Sequence, residues 1–144
     1  MRTALKRLAW LFVVAAALSG CTHPGSVVER AVENPIPPLP PGVYDLKAVD
    51  KPPASTREVE PEYPQEIWAA LSGKATVVFT VQANGTVKQA SIVSADDILF
   101  GEAAIAAILQ WHFRPAELNG SPVNCRMTMP FYFSILSGGV ETDE

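Results

Sequence analysis

The side chains best suited to chemistry in this chain are few: Cys21 and Cys125, His23 and His112, and the adjacent carboxylates Asp96 and Asp97. An ionised thiol is a nucleophile or a metal ligand, imidazole is a base or a ligand, and two carboxylates can share acid and base roles when their environments differ. The spacing supports none of these as catalysis. His23 lies in the stretch before the compact part of the chain and His112 beside Trp111, so no histidine pair or cysteine cluster has metal-ligand spacing. Neither a metal nor a cofactor is expected. Asp96 and Asp97 stand where a helix should begin, and carboxylates there satisfy free backbone donors and favour the helix dipole. No Ser, His and acid set falls on recognisable elements, so an enzyme is not expected. Cys125 is either a buried small apolar residue or the site of an intermolecular bond, and burial is the expected outcome. That leaves Cys21, whose thiol closes the tetrapeptide Leu18-Ser19-Gly20-Cys21.

What precedes Cys21 defines its chemistry. Arg2, Lys6 and Arg7 form a basic region, residues 8–17 are wholly apolar, and Ser19 and Gly20 are small, as an export signal requires. The apolar run is too short for a hydrocarbon core of about 30 Å, which takes roughly 20 helical residues, so a permanent transmembrane anchor is disfavoured. The tetrapeptide resembles the lipobox of bacterial lipoproteins, in which the cysteine thiol is alkylated by a diacylglycerol and the chain is cut just before it. The resemblance implies a signal peptide at residues 1–20, a lipid on Cys21 and a membrane-anchored protein facing the periplasm. Burial of acyl chains contributes about 0.8 kcal/mol per methylene, and two or three chains hold a protein stably. Ordinary cleavage near Ala15-Ala16-Ala17 is the alternative. Thr22 occupies the position where an aspartate retains lipoproteins in the inner membrane of enteric-type bacteria, which favours the outer membrane.

The formal charge of the chain is −4, and loss of Arg2, Lys6 and Arg7 with the signal leaves a net −7. Nucleic acid is then not an expected partner, since phosphate binding needs clustered basic residues. Nine of the thirteen prolines are Pro35, Pro37, Pro38, Pro40, Pro41, Pro52, Pro53, Pro61 and Pro64. That density opposes helix and central strand alike. Residues 21–58 are therefore expected to be a flexible linker, able to reach about 120 Å if fully stretched. A proline-rich ligand for an aromatic groove is the other reading of this stretch. Residues 137–144 read as an acidic disordered tail. One compact domain remains, residues 59–136, which at that size buries only about 60 to 65% of its surface. It has no room for a deep active-site cavity, and no small-molecule substrate is expected.

Within the domain, residues 67–71 read as a short helix opened by Pro64 and ended by Gly73. Ala75, Val77, Phe79 and Val81 alternate with Lys74, Thr76, Thr80 and Gln82, the period of a half-buried strand that only Val78 breaks. Asn84-Gly85 predicts a hairpin turn with positive φ at both positions, and residues 86–94 return. Asp96 or Asp97 caps a helix reaching about Gln110, rich in alanine for close approach to a sheet. After a turn at Asn119-Gly120 comes the longest alternation, with Val123, Cys125, Met127, Met129, Phe131, Phe133 and Ile135 on one face. Pro130 inside it implies a bulge or an exposed edge. The expected fold is α+β, a three-stranded antiparallel sheet (hairpin, helix, last strand) with helices on one face.

The order of these motifs resembles the C-terminal domain of the TonB family. The matching residues are Pro61-Glu62-Tyr63-Pro64, then Val77, Phe79 and Val81, then Asn84-Gly85. Ala103-Ala104 and Trp111-His112-Phe113-Arg114-Pro115-Ala116 follow, then Gly120, Pro122 and Val123, and finally Pro130-Phe131-Tyr132-Phe133. Where the family commonly has an aspartate before the alanine pair, this chain has Gly101. The resemblance covers roughly residues 59–136. It implies that an extended segment of an outer-membrane transporter or other envelope protein pairs with the edge of the last strand, at Val123, Asn124, Arg126, Thr128 and Tyr132, with Arg126 and Tyr132 as outward side-chain contacts. Physical reasoning gives Tyr63, Pro64, Asn84, Gly85, Trp111, Phe113 and Pro115 structural roles, with Tyr63-Pro64 stapling the incoming linker and Pro115 stopping the helix. Members that transduce energy carry an uncleaved inner-membrane helix, and here a cleavable lipoprotein signal stands in its place. The expected function is a lipid-anchored, TonB-like protein that binds partners by strand addition in energy-coupled transport. The alternative is an envelope assembly or scaffolding lipoprotein that uses the fold without a motor.

Overall fold

The period-two alternation around Val77 and Phe79 produces the strand on which the fold is built, as seen in a computed structural model describing residues 31–135 and 141–142. In chain order the elements are β1 (Val32–Glu33), β2 (Val43–Asp45), β3 (Ala54–Arg57), β4 (Ser72–Val81), β5 (Val87–Ala95), α1 (Ile98–Ile108), β6 (His112–Arg114), β7 (Ala116–Leu118), β8 (Ser121–Ser134) and β9 (Glu141–Thr142). Two 3-10 segments, Leu46–Ala48 and Gln65–Ala70, complete them. The expected export signal and Cys21 lie outside the described residues.

β4 and β5 form the expected hairpin, but through a longer turn than Asn84-Gly85 alone implies. The N–H of Gly85 donates to Gln82 O at 2.8 Å, and that of Gln82 to Thr86 O at 2.8 Å. Gly85 has φ 84°, whereas Asn84 is not among the residues with positive φ. Asn84 instead accepts from the Thr86 N–H at 3.0 Å and hydroxyl at 2.8 Å. This is the pattern of a turn followed by a glycine bulge, so the expectation of two positive φ values is corrected. Glycine is required for a second reason: a Cβ on Gly85 would lie 2.2 Å from the carbonyl oxygen of Phe113, whose N–H donates to Gly85 O at 2.8 Å. The other Asn-Gly pair does adopt the two-residue form, with φ 51° at Asn119 and 75° at Gly120 between β7 and β8.

The adjacent acids divide two tasks. The Asp97 carboxylate caps α1 by accepting from the Leu99 N–H at 2.9 Å, and that of Asp96 accepts from the Lys74 N–H of β4 at 2.8 Å. The helix ends at Ile108, earlier than expected. It buries Phe100, Gly101, Ala104, Ala107 and Ile108 against the sheet. A Cβ on Gly101 would lie 2.5 Å from Ile92 Cδ1, so the loss of a side chain here lets α1 lie directly on β5. Gly73 has a similar place inside β4, where a Cβ would meet the Phe100 ring at 2.0 Å. It does not terminate the preceding helix, as expected from sequence. That segment is a kinked 3-10 pair, Gln65–Ala70, that ends at Leu71 with φ 53°.

The sheet runs β1-β5-β4-β8-β2, with β7 and β9 also pairing to β8, seven strands in all. Its centre is the expected antiparallel trio β5-β4-β8. The three-stranded expectation is corrected because short extended pieces from outside the trio add to its edges. β3 and β6 form a separate pair, Ala54↔Arg114 and Ser55↔Phe113. The β4–β8 ladder runs without a shift from Ser72↔Ser134 to Val81↔Cys125, passing through Thr76↔Pro130. Pro130 therefore makes no bulge against β4. Pro115 falls between β6 and β7, seven residues beyond the end of α1, and separates two strands rather than stopping the helix.

On one face of the sheet Ala75, Val77, Phe79 and Val81 pack with Phe100, Ile108, Trp111, Phe131 and Phe133 into the core. The other face explains Val78, the residue that broke the alternation. Val78 is 2% exposed and Thr80 6%. They face the proline-rich segment, which crosses over them from β1 on the β5 edge to β2 on the β8 edge. The expectation of a free linker over residues 21–58 is thus corrected for its described part. Prolines exclude a long ladder, yet the residues between them pair in twos, threes and fours. The tail is corrected likewise at Glu141 and Thr142, which pair with Tyr132 and Phe131.

Candidate functional site

The edge of β8 that faces away from β4 is the one expected from sequence to take an extended partner. Its residues do not share one environment. Val123 pairs with Ala116 of β7, beyond the stretch that pairs with β4. Asn124 and Arg126 pair with Val43 and Asp45 of β2, in parallel. Tyr132 pairs with Glu141 of β9. Thr128 falls in the stretch of residues 127–130, which has no outer partner strand among the described residues. Pro130, lacking an N–H, lies in this same stretch. The expectation of one continuous open edge is corrected: β2 and β9 already pair along it, and β7 pairs with the start of the strand.

Arg126 is the best-engaged side chain of this edge. One guanidinium nitrogen donates to the Pro37 carbonyl at 2.7 Å, and another lies 3.5 Å from the Asp45 carboxylate. Asn124 turns inward along the strand end and accepts from the Ala83 N–H at 2.9 Å. Tyr132 remains exposed, with the Lys74 ammonium 5.5 Å from its ring centroid. Val43, Tyr44, Asp45 and Pro37 are partners of the edge that composition concealed. A local signal for them exists: Pro41-Gly42 makes a turn in which Val43 N–H donates to Pro40 O at 3.2 Å with Gly42 at φ 75°, the proline-then-glycine order of a type II turn. Such a turn before Val43-Tyr44 points to a strand.

The aromatic motif residues sit in the core behind this edge. Trp111 and Phe113 are 2% and 5% exposed, with ring centroids 5.9 Å apart. The Trp111 indole N–H donates to Val59 O at 2.8 Å and so fixes where the chain enters the domain. Tyr63 packs edge-on to Phe100 at 5.5 Å and Phe133 at 6.3 Å. Its phenol oxygen is buried with no partner among the described residues, and burial raises its pKa. Pro64 follows and opens the 3-10 segment. Between residues 59–66 and α1 lies an open groove of about 650 Å³, with Glu60, Glu62, Glu66 and Glu102 along it and no imidazole or thiol. His112 is exposed at the start of β6, and no cluster of metal-ligating side chains occurs among the described residues.

Cys125 is fully buried and free, and burial, with a smaller push from Asp45, raises its thiol from 9.0 to about 11. A thiol held neutral inside the fold is a poor nucleophile. In the chain with Cys21 replaced by alanine, iodoacetamide is expected to leave Cys125 unmodified until urea unfolds the domain. Rapid labelling of the native state would contradict this placement. The same shift has a sign: the folded state keeps its proton above the pH at which the unfolded thiol loses it. Its stabilising contribution is complete below about pH 9 and is lost as pH rises toward 11. Tyr63 acts in the same direction. Urea midpoints should fall across that window and fall less in Cys125→Ala.

Comparison with known proteins agrees with this architecture. The sequence profile described as Gram-negative bacterial TonB protein C-terminal matches residues 59–135, just over half of the chain. A relative, Protein TonB of Vibrio cholerae serotype O1 (strain ATCC 39315 / El Tor Inaba N16961), is 33% identical over 90 residues, covering 60% of this chain and 36% of the relative. The chain thus spans little more than a third of that protein's length. With the paired strands, the Ala-rich helix and the Trp111-Phe113 core in the matched stretch, the chain belongs to the TonB C-terminal family.

Proposed function

We propose that this protein is a lipid-anchored, periplasm-facing member of the family that binds a partner by strand addition at the outer edge of β8, in energy-coupled transport across the outer membrane. The observation that supports strand addition is the behaviour of β8 itself. Two short segments, β2 and β9, pair with the side of it away from β4, one in parallel and one in antiparallel sense. An edge that accepts either direction supplies main-chain bonds to an extended peptide, while side chains such as Arg126 and Tyr132 provide selectivity. The transported substrate belongs to the partner, not to this domain, and no cofactor enters the act.

The anchor would be the lipid on Cys21, outer membrane favoured over inner. With β1 beginning at Val32, about ten residues separate Cys21 from the first pairing, a span of at most about 40 Å. The domain would then work close to its membrane, nearer than the stretched linker expected from composition. A second reading is an envelope assembly or scaffolding adaptor. The ten-residue apolar run of residues 8–17 favours it, because a lipid in one leaflet cannot engage an inner-membrane motor as a spanning helix does. No helix among the described residues is long and apolar enough to cross a membrane. Titrating the chain with extended peptides from outer-membrane transporters should perturb amides within residues 123–135. Saturating peptide with those amides unmoved would end the strand-addition reading.

A further inference from the structure

Residues 31–49 cross the open face of the sheet and pair with both of its edges. Their hold is peculiar. None of them has a buried side chain, and Ile36, Leu39, Tyr44 and Leu46 are 50%, 41%, 39% and 38% exposed. They are held by two β1 pairings at Ala95 and Ser94, by Asn34 on the carbonyls of Val93 and Ile92, by Arg126 on Pro37, and by the three β2 pairings. Beneath the prolines an opening of about 200 Å³ remains against Val78, Thr80 and Ser91. Net gains of hydrogen bonds are about 1 kcal/mol each, and the hydrophobic burial added to them is limited to the covered Val78 and the half-buried Val32 and Val43.

Immediately downstream the attachment changes. Asp50 and Lys51 donate from their N–H groups to Glu117 O at 2.9 and 3.2 Å, and Lys51 accepts from the Glu117 N–H at 3.0 Å. The Lys51 ammonium meets the Glu117 carboxylate at 2.6 Å, and the Asp50 carboxylate accepts from the Asn119 N–H at 2.6 Å. Pro53 is buried and β3 pairs with β6. A firm clamp at residues 50–57 therefore follows a loosely held strap.

We infer that residues 31–49 are a displaceable internal ligand, whose strand β2 occupies the partner-binding edge at Asn124 and Arg126 until an extended partner segment replaces it. The inference rests on the strand-addition reading above. The strap also shows what replaces it: an extended segment offering a backbone carbonyl and a carboxylate to the Arg126 guanidinium, as Pro37 and Asp45 do. Tethered within the same chain, the strap competes at an effective concentration on the order of millimolar, and a partner's apparent affinity falls by the fraction of molecules in which the edge is open. Release would also lengthen the tether, moving the first fixed residue from Val32 to Asp50.

The test uses the full chain in detergent and a fluorescent peptide of the strap's own residues 41–47 as the probe. The variant Tyr44→Pro/Asp45→Lys removes a ladder donor and places a cation against Arg126, and both side chains lie outside the core. Asp45→Ala, which keeps the backbone intact, is the milder companion. Unchanged slow hydrogen exchange in β4 establishes that each is folded. The expected result is at least about tenfold tighter peptide binding by the double variant than by the unaltered chain, an intermediate gain for Asp45→Ala, and faster exchange at residues 124–126 that the peptide reverses. Equal affinity for all three chains, with protection at residues 124–126, overturns the strap as competitor while leaving strand addition standing. Exchange at residues 124–126 that does not rise in the double variant overturns it too, since the strap then does not cover the edge. An edge opened by the variant that still refuses the peptide defeats the strand-addition reading itself, and this inference with it.

Discussion

Trp111→Ala is expected to leave the domain largely unfolded at ambient temperature. Truncating a buried aromatic costs about 3–5 kcal/mol, and Trp111 is 2% exposed, in contact with Phe113 and Phe131 at centroid distances of 5.9 and 6.0 Å. The substitution also removes the indole donor from Val59 O, which at 2.8 Å holds the entry of the chain in place. Small domains have stabilities near the lower end of about 5–15 kcal/mol, so a loss of this size consumes most of it. Trp111→Phe separates the contributions, since it keeps most of the ring packing and loses the bond, for about 1 kcal/mol or somewhat more. Urea denaturation followed by far-ultraviolet circular dichroism measures both. An alanine variant with a midpoint near that of the unaltered chain would show that Trp111 does not support the core.

Cys21→Ala is the second large effect, and it is all or none. If the thiol carries the lipid, the variant incorporates no labelled palmitate and moves from the membrane to the soluble fraction or remains as uncleaved precursor. Each buried methylene contributes about 0.8 kcal/mol, so losing two or three acyl chains removes membrane binding altogether, with no graded remnant. Alkylation needs a sulfur nucleophile, hence Cys21→Ser is expected to behave as alanine does. Labelling that persists in either variant would place the lipid elsewhere and remove the basis for reading the domain as close to its membrane. Cys125 is a useful internal control, being buried and unavailable for acylation in the folded chain.

The strap bears on both readings of function. A transducer or an adaptor with a permanently open edge would pair with any exposed strand in the periplasm, a hazard that proteins ordinarily reduce by covering edges. Here the covering comes from the segment between the domain and its proposed anchor. Binding and tether length are thereby joined in one piece of chain. Arg126 stands at the junction, because the same guanidinium that would meet a partner now meets Pro37 and Asp45.

Elements with strong local signals were legible from sequence. The alternation of β4 and β8, the glycine turn at Gly85, the Asp97 cap and the family motif from Tyr63 to Phe133 each depend on contacts near in sequence or on periodicity, and each appears in the structure. Two features were not legible. Val78 looked like an error in a half-buried strand, and only the strap crossing above it, with Pro37 some forty residues earlier, explains its burial. The edge of β8 looked free, because proline density speaks for each residue's own backbone and not for the two or three residues between prolines. Sequence by itself determined the strands of the central trio and the helix that packs on them. Tertiary structure alone decided which edges are covered. Strand pairing is made by main-chain groups common to every residue, so what fills an edge is chosen by proximity in the folded chain and leaves little trace in the side chains.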